Sequence, residues 1–327
     1  MKNPGTRNCS GRPAHRLPTL GWFWLSFCLL SSAGRAGENV PHRPFAEWAQ
    51  LPPRGVLEVG AHYQESEAYY FWTADRRYKA DFKKGGEHYG IDVNQGYVAL
   101  QYGITERWAA DLAVGVTTAG WRFFANDGNL NGGSRSTTGL MDVAFGVRYQ
   151  LCREETAPGS CWKPDLAFRA GAVLPGSYDE KFPFAPGVGS AAIEPELLAR
   201  KHFGWQGLGA YFDGLFRWNK TSANDQYIVA LGLFQQIKGW ELHAGWRHLG
   251  SISGDSIAFD PATRVVDYPR AVRENSDAVE AGFSYTFPRR HIRLEFYSRT
   301  VFDGSNTDKK FWVGGGVTVP LTLAKSH

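Results

Sequence analysis

The chain has 327 residues, with 36 Lys and Arg against 32 Asp and Glu and a formal charge of +4. That length suits one large all-β domain or two smaller ones. The five cations Lys2, Arg7, Arg12, Arg16 and Arg35 all precede the first acidic residue. Losing residues 1–36 therefore leaves 31 Lys and Arg against 32 acids, a net charge of about −1. The remainder has no large cationic field, which argues against a nucleic-acid partner.

The N-terminus reads as a secretory signal peptide. Its positive region is followed by an apolar run from Leu20 to Leu30, then by small residues that suit cleavage after Ala36, with Gly34 at the minus-three position. The run is shorter than the roughly 20 apolar residues a membrane helix needs. Phe27 is too bulky for the residue before a lipidated cysteine, so Cys28 does not mark a lipoprotein. Cys9 and Cys28 leave with the presequence. Cys152 and Cys161 remain, and in an oxidising compartment they form a candidate disulfide closing a short loop.

Residues 37–54 follow as a periplasmic segment. They either enter the barrel as a small plug anchored by Phe45 and Trp48 or hang free in the periplasm, and their shortness favours the free tail. From residue 55 to 323 the sequence alternates at period two, the mark of a strand with two unlike faces. Trp108, Ala110, Leu112, Val114 and Val116 share one face, against Ala109, Asp111, Ala113, Gly115 and Thr117. The stretch 141–149 sets Met141, Val143, Phe145, Val147 and Tyr149 against Asp142, Ala144, Gly146 and Arg148. Further on, 166–174 and 277–287 repeat the pattern.

Twelve such stretches are predicted, at about 55–72, 88–104, 107–119, 137–151, 164–175, 190–203, 207–219, 225–237, 240–251, 275–287, 291–302 and 310–323. Short connections such as Thr105-Glu106 and Lys238-Gly239 alternate with long ones at 73–87, 120–136, 176–189 and 252–274. Aromatic residues gather at both strand ends, among them Trp108, Tyr149 and Trp240 at one and Trp121, Trp218 and Trp246 at the other. Even strand number, unequal turns and paired aromatic girdles define an antiparallel transmembrane β-barrel of the outer membrane of a Gram-negative bacterium, in contact with its lipids. A soluble sandwich also alternates, but it has no need of girdles at both ends.

The faces opposite the apolar ones carry Asp111, Asp142, Arg148, Arg169, Glu194, Glu196, Arg200, Asp213, Arg217, Glu241, Arg247, Glu280, Arg293 and Glu295. They also carry Glu58, His62, Asp165, His243 and Arg299. These are the candidate lumen-lining residues. Their signs are mixed, so opposite charges pair and no single-sign ladder selects anions or cations. No catalytic constellation is evident. His243 and His248 are five apart and point to opposite faces, so they share neither a metal nor a proton relay. Asp303-Gly304-Ser305-Asn306-Thr307-Asp308 is similar to part of a calcium loop, lacks the distant Glu, and reads better as a turn. No metal or cofactor is expected.

Gln101-Tyr102-Gly103-Ile104-Thr105-Glu106-Arg107-Trp108 resembles a hairpin of the transporter-like outer-membrane proteins named for meta-pathway phenol degradation. Asp142–Tyr149 and Phe168–Pro175, with Gly176 and Asp179, are similar to the same family, which is distantly like the long-chain fatty-acid porins. The resemblance implies passive uptake of a small organic solute, aromatic or hydrophobic, by a monomeric barrel. It departs at the C-terminus, where Ala324-Lys325-Ser326-His327 replaces a final aromatic residue and Pro320 removes a ladder donor. Alternatives from other classes are a closed structural or surface-binding barrel and an outer-membrane hydrolase.

Overall fold

A computed structural model describes residues 49–74, 79–81, 83–84, 87–88, 90–123, 133–154, 163–178, 187, 189–203, 207–220, 224–260, 265–267 and 272–323. Residues 1–36, expected to be a signal peptide, most of the segment 37–54, and Cys161 lie outside the described residues.

Twelve antiparallel strands close into a barrel. They are β1 (Val56–Trp72), β2 (Gly90–Gly103), β3 (Trp108–Phe123), β4 (Gly133–Leu140 and Val143–Cys152), β5 (Asp165–Leu174) and β6 (Ala192–His202). The circuit continues with β7 (Leu208–Asn219), β8 (Gln226–Ile237), β9 (Trp240–Ser251), β10 (Asn275–Thr286), β11 (Arg293–Ser305) and β12 (Thr307–Thr322). Each strand pairs with its sequence neighbours, and β12 returns to β1 from Val56↔Thr322 up to Trp72↔Thr307. Closure leaves every strand paired on both sides, which a strand surrounded by hydrocarbon requires. Pro320 sits opposite Glu58 without interrupting that seam.

The faces sort as period two dictates. Val116, Ile193, Leu231 and Leu233 point outward and stay exposed, while their lumen-side neighbours Thr117, Glu194 and Ala230 are buried. At one barrel end the links are short. Thr105 Oγ1 accepts from the Arg107 and Trp108 amides, and Lys238, with φ 58°, turns the β8–β9 hairpin beside Gly239.

Two features differ from the predicted outline. The fourth strand is broken at Met141–Asp142: its outer part pairs with β3, and its inner part pairs with both β3 and β5. Met141, predicted on the outward face, is fully buried beside equally buried Asp142. The second difference lies at 303–308, predicted as a turn. Asp303 to Ser305 end β11 and Thr307 begins β12, so the reversal falls on Asn306 alone, with φ 52°. Asn tolerates this left-handed conformation better than most residues do.

Candidate functional site

The interior is built from side chains that alternate with the lipid-facing ones. All fourteen residues proposed from sequence lie on inward-facing positions or, for Asp142, at the β4 break. Twelve of them are buried side chains: Asp111, Asp142, Arg148, Arg169, Glu194, Glu196, Arg200, Arg217, Glu241, Arg247, Glu280 and Glu295. Asp213 and Arg293 are slightly more open.

On the β3–β7 wall, Arg148 of β4 and Arg169 of β5 are direct neighbours. Asp111 of β3 flanks them on one side and Glu194 and Glu196 of β6 on the other, with Arg217 of β7 beyond. Arg169 of β5 reaches over β4 to Asp111 of β3, with Nη2 donating to Oδ2 at 2.8 Å, and turns Nη1 toward Glu196 and Glu194 at 3.4 and 3.5 Å. Arg217 donates from Nε to Glu194 Oε1 at 2.7 Å. Arg148 lies 3.6 Å from Asp111 and also donates to Gln101. Such a ladder lets each buried charge meet an opposite one, without which burial would cost several kcal/mol per ion.

A second set spans wider gaps. Arg200 of β6 crosses β7 and β8 to Glu241 of β9, Nη2 donating to Oε2 at 2.7 Å, with its guanidinium 3.9 Å from the centre of the Phe234 ring. Tyr211 of β7 donates to Glu280 of β10 at 2.9 Å, passing over β8 and β9. Tyr297 of β11 donates to Gln64 of β1 at 2.7 Å across β12. His62 lies 2.9 Å from Glu295 and stacks on Tyr97. These long reaches depend on bare backbone below them. A Cβ on Gly245 would come within 2.2 Å of the Tyr211 hydroxyl, and one on Gly314 within 2.4 Å of the Tyr297 ring.

Asp142 closes the break in β4. Its Oδ1 accepts from the Gly176 amide at 2.8 Å and the Tyr178 hydroxyl at 2.7 Å, while Tyr178 accepts from the Gly189 amide. Burial, then the Asp142 carboxylate, holds the Tyr178 phenol above its ordinary value. Leu140 and Ser177 exchange hydrogen bonds across the same break.

The N-terminal segment, expected as a free tail, is held where it is described. Ala49 is buried against the inward residues Ala167 of β5 and Leu198 of β6. Gln50 Nε2 donates to Asp165 at 2.9 Å, and Gly55 donates to the Gly103 carbonyl. The shortness of residues 37–54 argued against a full plug, but six residues are enough to run from β1 to the wall of β5 and β6. Nearby, outside the spanning strands, Glu154 holds Lys201 and His202. Burial raises that carboxyl, but hydrogen bonds from Lys201 and His202 outweigh burial and bring it below its ordinary value.

The motif similar to a calcium loop carries an ammonium instead. Lys310 Nζ lies 3.6 Å from Glu274 and 3.9 Å from Asp308, and Asn306 ties the hairpin to Ile257 and Arg273. Among the described residues no three His, Cys, Asp or Glu side chains converge to hold a metal. His243 faces the lumen and His248 the outside, as their spacing requires.

Sequence reasoning missed Gln64, Gln95, Tyr97, Tyr211 and Tyr297. Each sits at inward parity, and for the tyrosines an inward Gly one or two strands away is the signal that marks them. Together the closed twelve-strand wall, the polar interior and the apolar exterior define an outer-membrane-type β-barrel.

The family model described as "Putative MetA-pathway of phenol degradation" matches residues 70–311, and the chain belongs to that family. No curated protein matches it. Among solved structures, an outer membrane channel from Pseudomonas putida F1 superposes with a TM-score of 0.62 at 14% identity, over 85% of this chain and 100% of that one. The translocator domain of the autotransporter NalP from Neisseria meningitidis gives 0.45 at 13% identity, over 83% and 90%. The toluene transporter TodX of Pseudomonas putida gives 0.41 at 9% identity, over 83% and 90%. The first of these likenesses carries the fold.

Proposed function

We propose that the protein is an outer-membrane channel for passive uptake of small organic solutes, apolar or aromatic, along a narrow gated route. One observation carries this reading: the charges of the barrel interior are buried in pairs that reach over one or two strands, while the N-terminal segment packs inside one mouth. A wide aqueous pore would leave such charges hydrated, and its lining exposed. A filled interior suits solutes that arrive few at a time and displace little water. The class of solute is supported by family membership.

The test uses the refolded mature chain. Planar bilayers report ion current, and liposomes enclosing a dye-forming trap report entry of toluene or phenol against a hydrophilic sugar. Small or intermittent currents with entry of the aromatic solute support the reading. Large steady currents would make the protein a general pore, and silence with no aromatic entry would make it a closed structural barrel.

In this reading residues 1–36 are the removed export signal. Cys152 and Cys161 close the β4–β5 turn as a disulfide in the periplasm. Alkylation of the denatured mature chain should add nothing before reduction and two groups after it. Two additions before reduction would show free thiols.

A further inference from the structure

The outer wall carries a polar cluster that the interior does not use. Below it the wall is apolar throughout: Leu231 and Leu233 on β8, Leu242 on β9, and Val279 and Phe283 on β10 all face outward and are exposed. Near the ends of these strands opposite the short β8–β9 hairpin, the composition changes. Tyr227, Trp246, His248 and Asp277 face the same way across β8, β9 and β10: His248 pairs directly with Asp277, and Tyr227 and Trp246 lie one same-face step to either side of it. Asp277 Oδ1 accepts from Trp246 Nε1 at 3.1 Å and lies 2.9 Å from His248 Nδ1. His248 is stacked on Trp246, with centroids 5.8 Å apart, and leans on Tyr227, whose hydroxyl is 3.4 Å from Nε2.

Two details make this a platform. Tyr227 lies flat, because its strand partner is Gly250, where a Cβ would come within 2.5 Å of the ring. The aromatic surface also continues past the cluster. Phe216 pairs directly with Tyr227 and packs edge-on against Trp218, which is 54% exposed. The outer end of β7–β9 is thus a band of aromatic rings, with Tyr227 flat and Phe216 and Trp218 edge to face, and with a carboxylate and an imidazole at its edge, set just above the apolar belt.

We propose that this band binds the saccharide headgroup of a glycolipid in the outer leaflet. A pyranose has an apolar C–H face that packs on flat rings, and equatorial hydroxyls that bond to a carboxylate and an imidazole at the rim. A phosphate is a poorer fit, since the cluster's histidine is already matched by a carboxylate and Asp303 lies next to Asp277 on β11. Acyl hydrolysis is a poorer fit as well: among the described residues His248 is bonded by a tyrosine and an aspartate, and no serine hydroxyl reaches it. The chains below the headgroup would lie along the apolar belt, as the height of aromatic girdles implies. The proposal rests on the outer-membrane placement and not on the channel reading.

The test is lipid retention by the refolded mature chain in detergent. Monoglucosyl diacylglycerol and phosphatidylglycerol with the same acyl chains are offered in equal amounts, and bound lipid is counted by native mass spectrometry. The wild-type protein should retain about tenfold more glycolipid, a ratio that one or two hydrogen bonds and ring stacking supply. Asp277→Asn with His248→Phe keeps the ring stack, removes the polar rim, and should bring retention close to parity. Bilayer currents should be unchanged, because these residues face away from the lumen. Tyr227→Leu is the second variant, and it should lower retention by removing the floor. Equal retention of both lipids by the wild type, or undiminished preference in folded variants, would overturn the proposal. Silent bilayers with preserved glycolipid preference would sink the channel reading alone.

Discussion

Tyr211 illustrates how single positions control this interior. Its hydroxyl reaches Glu280 three strands away because Gly232 and Gly245 lie beneath the ring and offer no side chains. Gly245→Val should lift the ring from that floor and break the bond. The expected loss is about 1–3 kcal/mol, read as a lower urea midpoint for unfolding from micelles. Tyr211→Phe removes only the hydroxyl, and should cost less than the valine. An unchanged midpoint for Gly245→Val would mean that the ring has room elsewhere. Glu154 makes a prediction of opposite character, since it lies outside the strands. Its folded-state pKa is depressed, so its contribution is fully present above the unfolded value near 4.3 and is lost as pH falls through the lower folded value. The gap in urea midpoint between wild type and Glu154→Gln should therefore be widest near neutrality and shrink from about pH 5 downward. A gap that widens on acidification would contradict this sign.

Segments act as units on a larger scale, and the stretch 49–54 is the clearest case. It enters from β1, places Ala49 against Ala167 and Leu198, and ties Gln50 to Asp165. Asp165 Oδ1 also accepts from the Glu154 amide, so one carboxylate holds both the segment and the residues that follow β4. Deleting residues 37–53 should increase single-channel conductance by at least about twofold while leaving the barrel folded, since β1 begins only at Val56. Unchanged current in a folded deletion variant would place the constriction in the side-chain belt instead. The break in β4 belongs to this scale too. Asp142 Oδ1 supplies the Gly176 amide with the acceptor that ladder pairing would otherwise provide, and accepts from the Tyr178 hydroxyl as well.

At the scale of the whole molecule, stability and the state of the lumen are the same question. Asp111 serves both Arg148 and Arg169, so Asp111→Ala takes a carboxylate from two buried guanidinium groups at once. It should cost about 3–5 kcal/mol, whereas removing all three charges together in favour of apolar residues should cost far less. Comparing urea midpoints of the single and triple variants checks this, and equal losses would show that the ladder is not coupled.

Much of this organisation was legible in the amino-acid order. Period two is a property of each strand alone, so strand spans, the inward parity of Asp111 or Arg217, and the opposite facing of His243 and His248 could be read locally. The departures came where a partner distant in sequence decided. Met141 is buried because β4 breaks beside Asp142, and Asp303 lies in a strand because β11 and β12 run on to Asn306. The sequence by itself determined a closed antiparallel barrel, the positions of its strands, and which side chains share its interior. Only the tertiary structure decided which charges meet, that tyrosines lie flat across glycines, and that the N-terminal segment turns inward. The physical reason is reach: alternation is set by neighbours along the chain, whereas a contact over two or three strands depends on how the whole wall curves and staggers.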